Sequence, residues 1–432
     1  MKQAVIIGAG VIGCAIALQL SRKGYRTINV DKNAEVGSGS TANSCAIVRF
    51  SYSTLEGVML AHEGYHYWMD WPRFLGTEDE RGSARFIQCG HLMLRVDESD
   101  RAQVVENYQQ LGIRFEQWDN AQIRARLPVL TTGSFHPPKP VDDPQFWSQN
   151  EGEIAGGVFV PDAGYIPDPQ LATHNLRRAV EAAGGRFQLR RTVTAIERAD
   201  GRVAAVILDD GSRLPADVVV NAAGPHSDLV NRLAGVEGDM SIRTRALRRE
   251  VHHLGAPAEF DFEHRGIMTS DSDVGVYFRP GLGNSITLGS TDPACDPKTW
   301  VDNPDECNRE ITELQWIAQV YRLARRMPNL PIPGRAAGVV DMYDVADDWI
   351  PIYDRSSLPG FYMAIGTSGH QFKNAGAVGT LMADLVTACE SGLNHDQVPL
   401  RHHMPYTGRV LNVGAFSRLR AVNCNSSFSV RG

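Results

Sequence analysis

The chain has 432 residues, of which 43% are hydrophobic and 22% are charged, and its formal net charge is −7. That length suits two domains with cores of their own, and the acidic balance disfavours nucleic acid or an anionic membrane surface as a partner. The seven cysteines form no CxxC pair, and no apolar run approaches the roughly 18–20 residues needed to cross a bilayer. We therefore expect a cytoplasmic protein without a membrane span, a disulfide framework or a metal site.

Residues 1–31 predict a strand, a turn, a helix and a second strand. The apolar run 4–8 is typical of a buried parallel strand, and residues 14–20 are small or apolar at helical spacing. Residues 27–30 predict the second strand, which ends at Asp31. A carboxylate at that point can accept hydrogen bonds from a ribose.

Three glycines occupy the first turn of this unit in a GxGxxG spacing. Gly8 permits a tight turn, Gly10 lets a pyrophosphate approach the backbone, and Gly13 lets the helix pack closely on the strand. The N-terminus of the helix offers backbone N–H groups and a positive dipole end to phosphates. Glycines alone also fit a plain turn, but in this order of elements they predict a dinucleotide site.

Further elements follow along the chain. Helices are predicted at 55–75, 99–112, 169–184, 308–327 and 375–389. Strands are predicted at 84–96, 158–167, 191–197, 203–208, 211–221, 248–254, 275–280, 285–289 and 360–366. The stretches 132–152 and 328–334 are rich in proline and glycine and predict loops.

These elements predict an α/β fold with two domains. A discontinuous Rossmann-type domain would comprise 1–80, 155–235 and 335–395. A second domain with a mixed, mainly antiparallel β-sheet would comprise 81–154 and 236–334 and bind the substrate. The C-terminal tail, 396–432, has weak periodicity and predicts no particular role.

Four segments beyond the first turn carry a resemblance to a known family. They are Ser40-Thr41-Ala42; Val220-Asn-Ala-Ala-Gly-Pro-His-Ser227; Asp341-Met-Tyr-Asp-Val-Ala-Asp-Asp-Trp-Ile-Pro351; and Gly366-Thr-Ser-Gly-His-Gln-Phe-Lys373. With the Gly8–Gly13 turn, they resemble the FAD-dependent D-amino-acid oxidase group, particularly its sarcosine oxidase and dimethylglycine dehydrogenase branch. The resemblance implies FAD as the cofactor and a small amine or amino acid as the substrate.

The same resemblance implies which residues hold FAD. They are Gly8, Gly10, Val11, Ile12, Gly13, Asp31, Lys32, Ser40, Thr41, Ala42, Ser44, Val193, Ala222, Ala223, Gly224, His226, Gly338, Gly369, His370, Gln371, Phe372 and Lys373. Asp341 lies where monomeric sarcosine oxidases have a flavin-bound cysteine. A carboxylate cannot form that thioether, so we expect FAD to be bound non-covalently. Asp341 could instead contact a substrate ammonium or hydroxyl, or be a hydrogen-bonded loop acid.

Amine oxidation by a flavin needs a bound substrate and positive charge near the ring. The loop that ends in His370 and Lys373 precedes a helix, whose backbone N–H groups and dipole suit that charge. The resemblance implies that Arg49 and Lys373 bind a carboxylate and that Tyr277 and Tyr343 lie near the substrate. Arg279 lies two residues after Tyr277 on a strand, so it shares that face and is a further anion-binding candidate.

We expect oxidation of a secondary or tertiary amine, such as an N-methyl amino acid, by hydride transfer to flavin N5 and hydrolysis of the imine. A D-amino acid or a 2-hydroxy acid as the substrate remains open. Thr287 lies where the oxidases have a lysine credited with activating oxygen. The acceptor could therefore be oxygen or another carrier, and the chain could be the flavin subunit of a larger complex.

Overall fold

The computed structural model describes residues 1–430. Its helices are α1 (Val11–Arg22), α2 (Leu55–Met69), α3 (Trp71–Leu75), α4 (Ala102–Leu111), α5 (Asn120–Arg126), α6 (Pro169–Ala182), α7 (Ser227–Ala234), α8 (Phe262–Arg265), α9 (Glu313–Arg326) and α10 (Ala375–Glu390). Short 3-10 helices span Gly224–His226, Glu237–Asp239, Pro304–Glu306, Phe372–Asn374 and Val413–Phe416.

The strands follow in the same chain order. They are β1 (Gln3–Ile7), β2 (Arg26–Asp31), β3 (Ile47–Val48), β4 (Ile87–Gln88), β5 (His91–Leu94), β6 (Glu116–Trp118), β7 (Gly157–Val160), β8 (Gly164–Tyr165), β9 (Arg186–Leu189), β10 (Val193–Ala199), β11 (Arg202–Leu208), β12 (Arg213–Pro215), β13 (Val218–Asn221), β14 (Thr244–Gly255), β15 (Met268–Asp271), β16 (Val276–Gly281), β17 (Ser285–Ser290), β18 (Trp300–Val301), β19 (Gly338–Ala346), β20 (Ile352–Arg355), β21 (Phe361–Ile365), β22 (Arg401–His403) and β23 (Val410–Asn412).

One sheet, in the order β20-β21-β13-β1-β2-β9, is parallel except for the β20–β21 pair. Successive side chains of a strand point to opposite faces. Ala4 and Ile6 of β1 therefore pack with α1, α6 and α10, whereas Val5 and Ile7 pack with the sheet β10-β11-β12. Both faces are covered, which is why β1 is apolar throughout.

The second large sheet runs β18-β14-β17-β16-β15-β5-β7-β6, and β19 pairs with β14 as well. Among the described strands of this sheet, β5 and β15 pair in parallel and the others pair antiparallel. Helix α9 covers one face, where Val320 and Leu323 pack with Phe278 and Leu288. These two sheets confirm the predicted α/β fold class.

Strands of the parallel sheet come from three stretches, 3–31, 186–221 and 352–365. Strands of the mixed sheet lie in the two intervals between them, and the second interval includes β19 at 338–346. The predicted domain bounds place β19 in the first domain, although it pairs with β14 over nine positions. The bounds themselves stay a prediction.

Several predicted elements have different limits in the structure. Helix α1 begins at Val11 rather than residue 14, and α4 begins at Ala102 rather than 99. Helix α9 begins at Glu313 rather than 308, because Thr312 caps it by accepting a hydrogen bond from the Gln315 N–H.

Predicted strand 211–221 is two strands, since β12 pairs with β11 while β13 joins the parallel sheet. Similarly, the predicted strand 84–96 is two strands, β4 and β5, which belong to different sheets. The edge strand β9 was not predicted.

The tail packs against the parallel sheet and continues to the large cavity described below. Strands β22 and β23 pair as a hairpin. Further on, the Arg418 guanidinium lies 3.1 Å from Asp354, and that of Arg420 lies 2.8 Å from Asp348. Residues 431 and 432 of the predicted tail lie outside the described residues. Within residues 1–430, the helices are too short or too polar to cross a membrane.

Candidate active site

A cavity of about 630 Å³ lies between the parallel sheet and the mixed sheet. Its volume is within the range of small-molecule and cofactor sites. We call the part lined by the turns 8–13, 31–33 and 222–226 the glycine end. The part lined by Arg49, Arg101, Ser270 and Lys373 is called the cationic end.

Close packing at the glycine end requires two of its glycines. An added Cβ on Gly8, whose φ is +118°, would lie 2.2 Å from the carbonyl oxygen of Ala222. One on Gly13 would lie 2.3 Å from the carbonyl oxygen of Gly8. Both distances are well below van der Waals contact, so β1, α1 and β13 could not meet here with larger residues. The N-terminus of α1 consequently opens into the cavity, where Gly10 provides no side-chain cap and a phosphate would fit.

Most of the predicted cofactor residues line the cavity. They are Gly8, Gly10, Val11, Ile12, Gly13, Asp31, Lys32, Ser40, Thr41, Ser44, Val193, Ala222, Ala223, Gly224, His226, Gly369, His370, Gln371, Phe372 and Lys373. The carboxylate of Asp31 lies at the end of β2 and accepts a hydrogen bond of 2.8 Å from the Ala9 N–H. An elongated dinucleotide such as FAD fits this arrangement, because the cavity joins the start of α1 to the loop 369–373.

Charged side chains meet across the mouth of the glycine end. The Nζ of Lys32 lies 2.8 Å from Nε2 of His226 and also contacts Asp305. His226 Nε2 lies 3.0 Å from the same Asp305 carboxylate. Burial lowers the pKa of His226, although Asp305 opposes the shift. This cluster ties the segment 302–312 to the turns that follow β2 and β13.

Asp341 lines the cavity with its carboxylate fully engaged. It accepts hydrogen bonds from Ser40 Oγ at 3.1 Å and Asn43 Nδ2 at 2.7 Å. Its other contacts are an ion pair with Arg309 at 2.7 Å and the Met342 N–H at 2.8 Å. These contacts fit the hydrogen-bonded acid among the alternatives for Asp341, although the residue lies in strand β19 rather than in a loop.

The loop between β21 and α10 packs tightly against β19. A Cβ on Gly369, whose φ is +74°, would lie 2.4 Å from the ring of Tyr343. His370 is buried and its Nε2 lies 2.9 Å from the Trp349 carbonyl oxygen, while Gln371 Nε2 lies 2.8 Å from its Nδ1. Burial, followed by the charge of Lys373, lowers the pKa of His370 well below its usual value. A neutral ring held on both nitrogens fixes the loop rather than carrying a proton to a ligand.

Arg49 and Lys373 both lie close to Tyr52. Their cationic groups lie 4.9 and 5.1 Å from its ring centroid. Lys373 Nζ donates to Tyr52 Oη at 2.7 Å and to the His370 carbonyl at 2.5 Å. Burial and the charge of Arg49 hold the pKa of Lys373 well below its usual value. Burial raises the pKa of Tyr52 to about 12, so its hydroxyl stays neutral.

Arg49 is held by backbone as well as side-chain groups. Its Nη1 donates to Ser51 Oγ at 3.1 Å and contacts the Ser51 carbonyl oxygen. Its Nη2 donates to the carbonyl oxygen of Val430, so the tail forms part of the cationic end. Among residues 1–430, no carboxylate forms an ion pair with Arg49 or Lys373, which leaves two buried cations without an opposite charge.

Tyr277 and Tyr343 form a wall of the same cavity. Tyr277 Oη lies 3.4 Å from Sγ of Cys45, and burial raises the pKa of Tyr277 well above its usual value. The guanidinium of Arg249 lies 5.5 Å from the Tyr343 ring centroid and forms an ion pair with Asp292. Both tyrosines are therefore neutral polar walls rather than proton donors near neutral pH.

Three predicted site residues do not line the cavity. Arg279 shares a face with Tyr277, but its Nε donates to the Cys45 carbonyl at 2.8 Å and its guanidinium lies 4.3 Å from the Tyr165 ring centroid. Gly338, with φ +154°, allows β19 to approach the Val251 carbonyl. Ala42 closes a turn by donating its N–H to the Gly37 carbonyl. Arg279 and Gly338 thus contact the residues Cys45 and Val251, which line the cavity, without lining it themselves.

The structure adds residues that the sequence did not single out. Cavity-lining examples at the cationic end are Met93, Arg101, Arg249, Met268, Ser270, Ser272 and Val430. They come from β5, the N-cap of α4, β14, β15 with the residue after it, and the tail, and no local motif joins them. Arg101 carried one usable signal, since it follows three acidic or capping residues, Glu98-Ser-Asp100, that favour a helix start rather than a helix interior.

Outside the cavity, one cluster resembles a cation site. Asp79, Glu80 and His174 offer ligand atoms within 4.8 Å of one another. Asp79 Oδ2 already accepts from His174 Nδ1 and Asn175 Nδ2, each at 2.7 Å. These bonds join the segment before β4 to α6, and the absence of a metal site stays a prediction.

Known proteins show similarity over nearly the whole chain. The bovine (Bos taurus) FAD-dependent oxidoreductase domain-containing protein 1 is 25% identical over 416 residues, covering 88% of this chain and 80% of that protein. A 4-methylaminobutanoate oxidase (formaldehyde-forming) from Paenarthrobacter nicotinovorans is 22% identical over 92% of this chain, which spans only 45% of its length.

Among solved structures, L-proline dehydrogenase from P. horikoshii superposes with a TM-score of 0.75 at 19% identity, over 97% of both chains, and shows the same fold. The family model for FAD dependent oxidoreductases (DAO) matches residues 3–385. The chain thus belongs to the DAO family of FAD-dependent oxidoreductases.

Proposed function

We propose that this enzyme oxidises the C–N bond of a secondary or tertiary amino acid, with FAD bound non-covalently. The observation that carries the proposal is the pair of buried cations, Arg49 and Lys373, in the cavity that fits FAD. A carboxylate would supply the negative charge that this end lacks. The relative named as a 4-methylaminobutanoate oxidase acts, by its name, on a secondary amine with a carboxylate.

Arg49 and Lys373 would bind the substrate carboxylate from two sides. Arginine offers a planar fork of donors, and lysine offers a point charge whose remaining hydrogen can turn to the ligand. Tyr52 and the His370 carbonyl orient the lysine. A bound carboxylate would replace the Val430 carbonyl oxygen as the acceptor for Arg49, or share its donors with it.

The remaining predicted site residues would position the substrate and hold the cavity walls in place. Tyr277 and Tyr343 would limit the movement of the substrate, and His370 would hold its loop in place. Asp341 would fix the segment 40–44 against β19 rather than contact the substrate. Because Asp341 lies at the position of the family's flavin-bound cysteine, we propose that no thioether to FAD forms there.

When bound, FAD supplies the acceptor for a hydride from the carbon next to nitrogen. The substrate nitrogen must be neutral, because its lone pair forms the C=N bond as the hydride leaves. Water then adds to the imine carbon, and the C–N bond breaks to give a carbonyl compound and the shortened amine. The loop 369–373 and the start of α10 would place backbone N–H groups where negative charge develops.

The final electron acceptor would be oxygen or another carrier. Thr287 lies in β17, opposite Arg279 and His253 in the sheet, and it is 4% exposed. A threonine there has no charge with which to stabilise reduced oxygen. This observation favours a dehydrogenase, including one that works as the flavin subunit of a larger assembly, as the second candidate.

The proposal is tested by anaerobic titration of the purified holoenzyme. We expect N-methyl amino acids or proline to bleach the flavin band, at roughly 450 nm, and the corresponding esters to leave it unchanged. The rate of reduction should rise with pH until the substrate amine is fully deprotonated. Bleaching by 2-hydroxy acids or primary D-amino acids alone would contradict C–N oxidation of N-alkyl substrates. Re-oxidation in air then separates an oxidase from a dehydrogenase.

A further inference from the structure

We propose that Arg101 determines substrate specificity by binding a second carboxylate, so that the substrate is an N-alkyl amino acid with two acid groups. This inference rests on the proposed function for the amine part of the substrate. It concerns a residue outside the glycine motif and outside the pair, Arg49 and Lys373, that is proposed to bind the first carboxylate.

The guanidinium of Arg101 is buried and belongs to the same cavity as Arg49 and Lys373. Its side chain is 2% exposed, and its Nη2 donates to Ser272 Oγ at 2.5 Å. Its Nε has no hydrogen-bond partner among residues 1–430. A guanidinium has five N–H donors, so Arg101 keeps donors for a ligand.

The acids nearest to Arg101 are engaged elsewhere. The carboxylate of Asp100 lies 3.5 Å from Nε but accepts the Val96 N–H through its other oxygen at 3.2 Å. Asp271 forms a buried ion pair with Arg326 at 2.6 Å. Arg101 therefore has one partly exposed, poorly aligned acid, whereas a buried cation is stabilised by a well-placed opposite charge.

Positive charge accumulates at this end of the cavity. His91 is buried beside Ser270, with Nε2 2.8 Å from its Oγ. After burial, the charges of Arg49, Arg101 and Lys373 all lower the pKa of His91, and the three cationic side chains line the same cavity. The acids that line the cavity, Asp31, Asp305, Asp341 and Asp344, contact other groups. One substrate carboxylate would neutralise only part of this charge.

The backbone at Arg101 is unfavourable for an arginine. Its φ is +73°, a left-handed conformation that residues other than glycine, asparagine and aspartate seldom adopt. It is also the N-cap of α4, where the helix dipole repels a cation. The chain thus keeps a charged side chain in the cavity at the expense of local stability, which is typical of functional positions.

Carboxylate binding to the holoenzyme tests the inference without turnover. We expect succinate or glutarate to perturb the flavin spectrum with an affinity at least about tenfold above that of butyrate, a difference of about 1.4 kcal/mol. In Arg101→Gln this preference should fall to within about threefold, because succinate should lose much more affinity than butyrate. Arg101→Lys should keep part of the preference, and Arg114→Gln, which removes an exposed arginine after α4, should keep all of it.

An equal preference in Arg101→Gln and wild type would overturn the inference, as would no preference in wild type. A tenfold stronger response to 3-phosphonopropionate than to succinate would also overturn it, because the distal group would then be a phosphate rather than a carboxylate. Loss of butyrate binding together with succinate binding would assign Arg101 a structural role and count against the proposal.

Flavin reduction distinguishes this inference from the proposed function. We expect N-methylaspartate or N-methylglutamate to give a kcat/KM about tenfold or more above that of N-methylalanine, and Arg101→Gln to remove the difference. Reduction by all three at equal rates would overturn the inference and leave the proposed function standing. Reduction by none of them, with the dicarboxylate preference intact, would overturn the proposed function and leave the anion site standing.

Discussion

The two ends of the cavity differ in which part of the chain lines them, backbone at one end and side chains at the other. The glycine end consists of backbone, because β1, α1 and β13 meet so closely that Gly8 and Gly13 have no room for a side chain. The cationic end consists of side chains, with Arg49, Arg101 and Lys373 buried beside neutral tyrosines. The first end therefore depends on steric fit, whereas the second depends on charge.

This difference separates two requirements of one enzyme. Backbone N–H groups bind any phosphate chain presented to them, so the glycine end suits a cofactor shared by many relatives. Side chains drawn from distant segments can change one at a time, so the cationic end suits a particular substrate. Substitutions at one end should consequently leave the other end intact, and the following predictions test that separation.

The largest effect is expected for Gly13→Val. Its branched side chain would meet the Gly8 carbonyl oxygen, which lies 2.3 Å from the position of a Cβ, and would push α1 away from β1. We expect the purified protein to lose nearly all bound FAD, measured as the ratio of absorbance at roughly 450 nm to that of the protein. Gly238→Ala, at a glycine with nothing within 4 Å of the added Cβ, should retain FAD. Full FAD content in Gly13→Val would disprove the steric account of this end.

A loss of about 100-fold in kcat/KM is expected for Arg49→Gln, with normal FAD content. Removing one side of a buried charged contact costs about 2–5 kcal/mol, and Lys373 alone would remain to hold the carboxylate. The measurement is anaerobic flavin reduction by the best N-alkyl amino acid. Arg186→Gln, at an exposed residue of β9, serves as the control. If FAD were lost along with activity, the two ends would not be independent.

A pH dependence of about tenfold is expected from Lys373. Burial and Arg49 hold its pKa well below the usual value, and only the protonated amine attracts a carboxylate. Affinity for an inert carboxylate such as butyrate should therefore fall as pH rises through that lowered pKa. Tyr52 does not titrate with Lys373, because its pKa is raised to about 12.

Lys373→Met is the matched variant for this pH series. It should bind butyrate more weakly at neutral pH and show a flat profile, since Arg49 stays charged throughout. If butyrate affinity in wild type depended on pH as little as in Lys373→Met, the charge of the lysine would not contribute to carboxylate binding.

The smallest effect on the cavity is expected for Arg420→Ala. This change removes the ion pair of 2.8 Å with buried Asp348 and the hydrogen bond to the Ile350 carbonyl, which hold the tail in place. Limited proteolysis should cleave after residue 416 faster than in wild type, and butyrate affinity should change by no more than about threefold. Altered FAD content would mean that the tail supports the glycine end too.

Sequence reasoning was most successful where function lies in contiguous backbone. The βαβ order, Asp31 and the turns at 222–226 and 366–373 were predicted from local patterns and a family resemblance, and all line one cavity. Such turns need particular residue types at fixed spacing, which a sequence displays directly.

The cationic end was predicted only in part. Arg101 falls inside the helix predicted at 99–112 from its amphipathic pattern, and the left-handed φ of Arg101 cannot be read from that pattern. Ser272 and Arg249 reach the cavity through pairing of distant strands. The tail shows only weak periodicity, because the buried apolar residues Met404, Leu411, Val413 and Phe416 are irregularly spaced and the ion pairs of Arg418 and Arg420 also hold it.

Trp68 has a further consequence through its position beside the late loop. Its indole N–H donates to the Lys373 carbonyl at 2.7 Å, and its ring stacks on Phe372 with centroids 5.3 Å apart. Phe372 lines the cavity, so this indole lies one ring behind the space where FAD fits. Indole emission overlaps flavin absorption, and resonance transfer is efficient at such separations. The intrinsic fluorescence of the enzyme should therefore be a built-in optical reporter of cofactor loading, dim when FAD is bound and bright when it is removed.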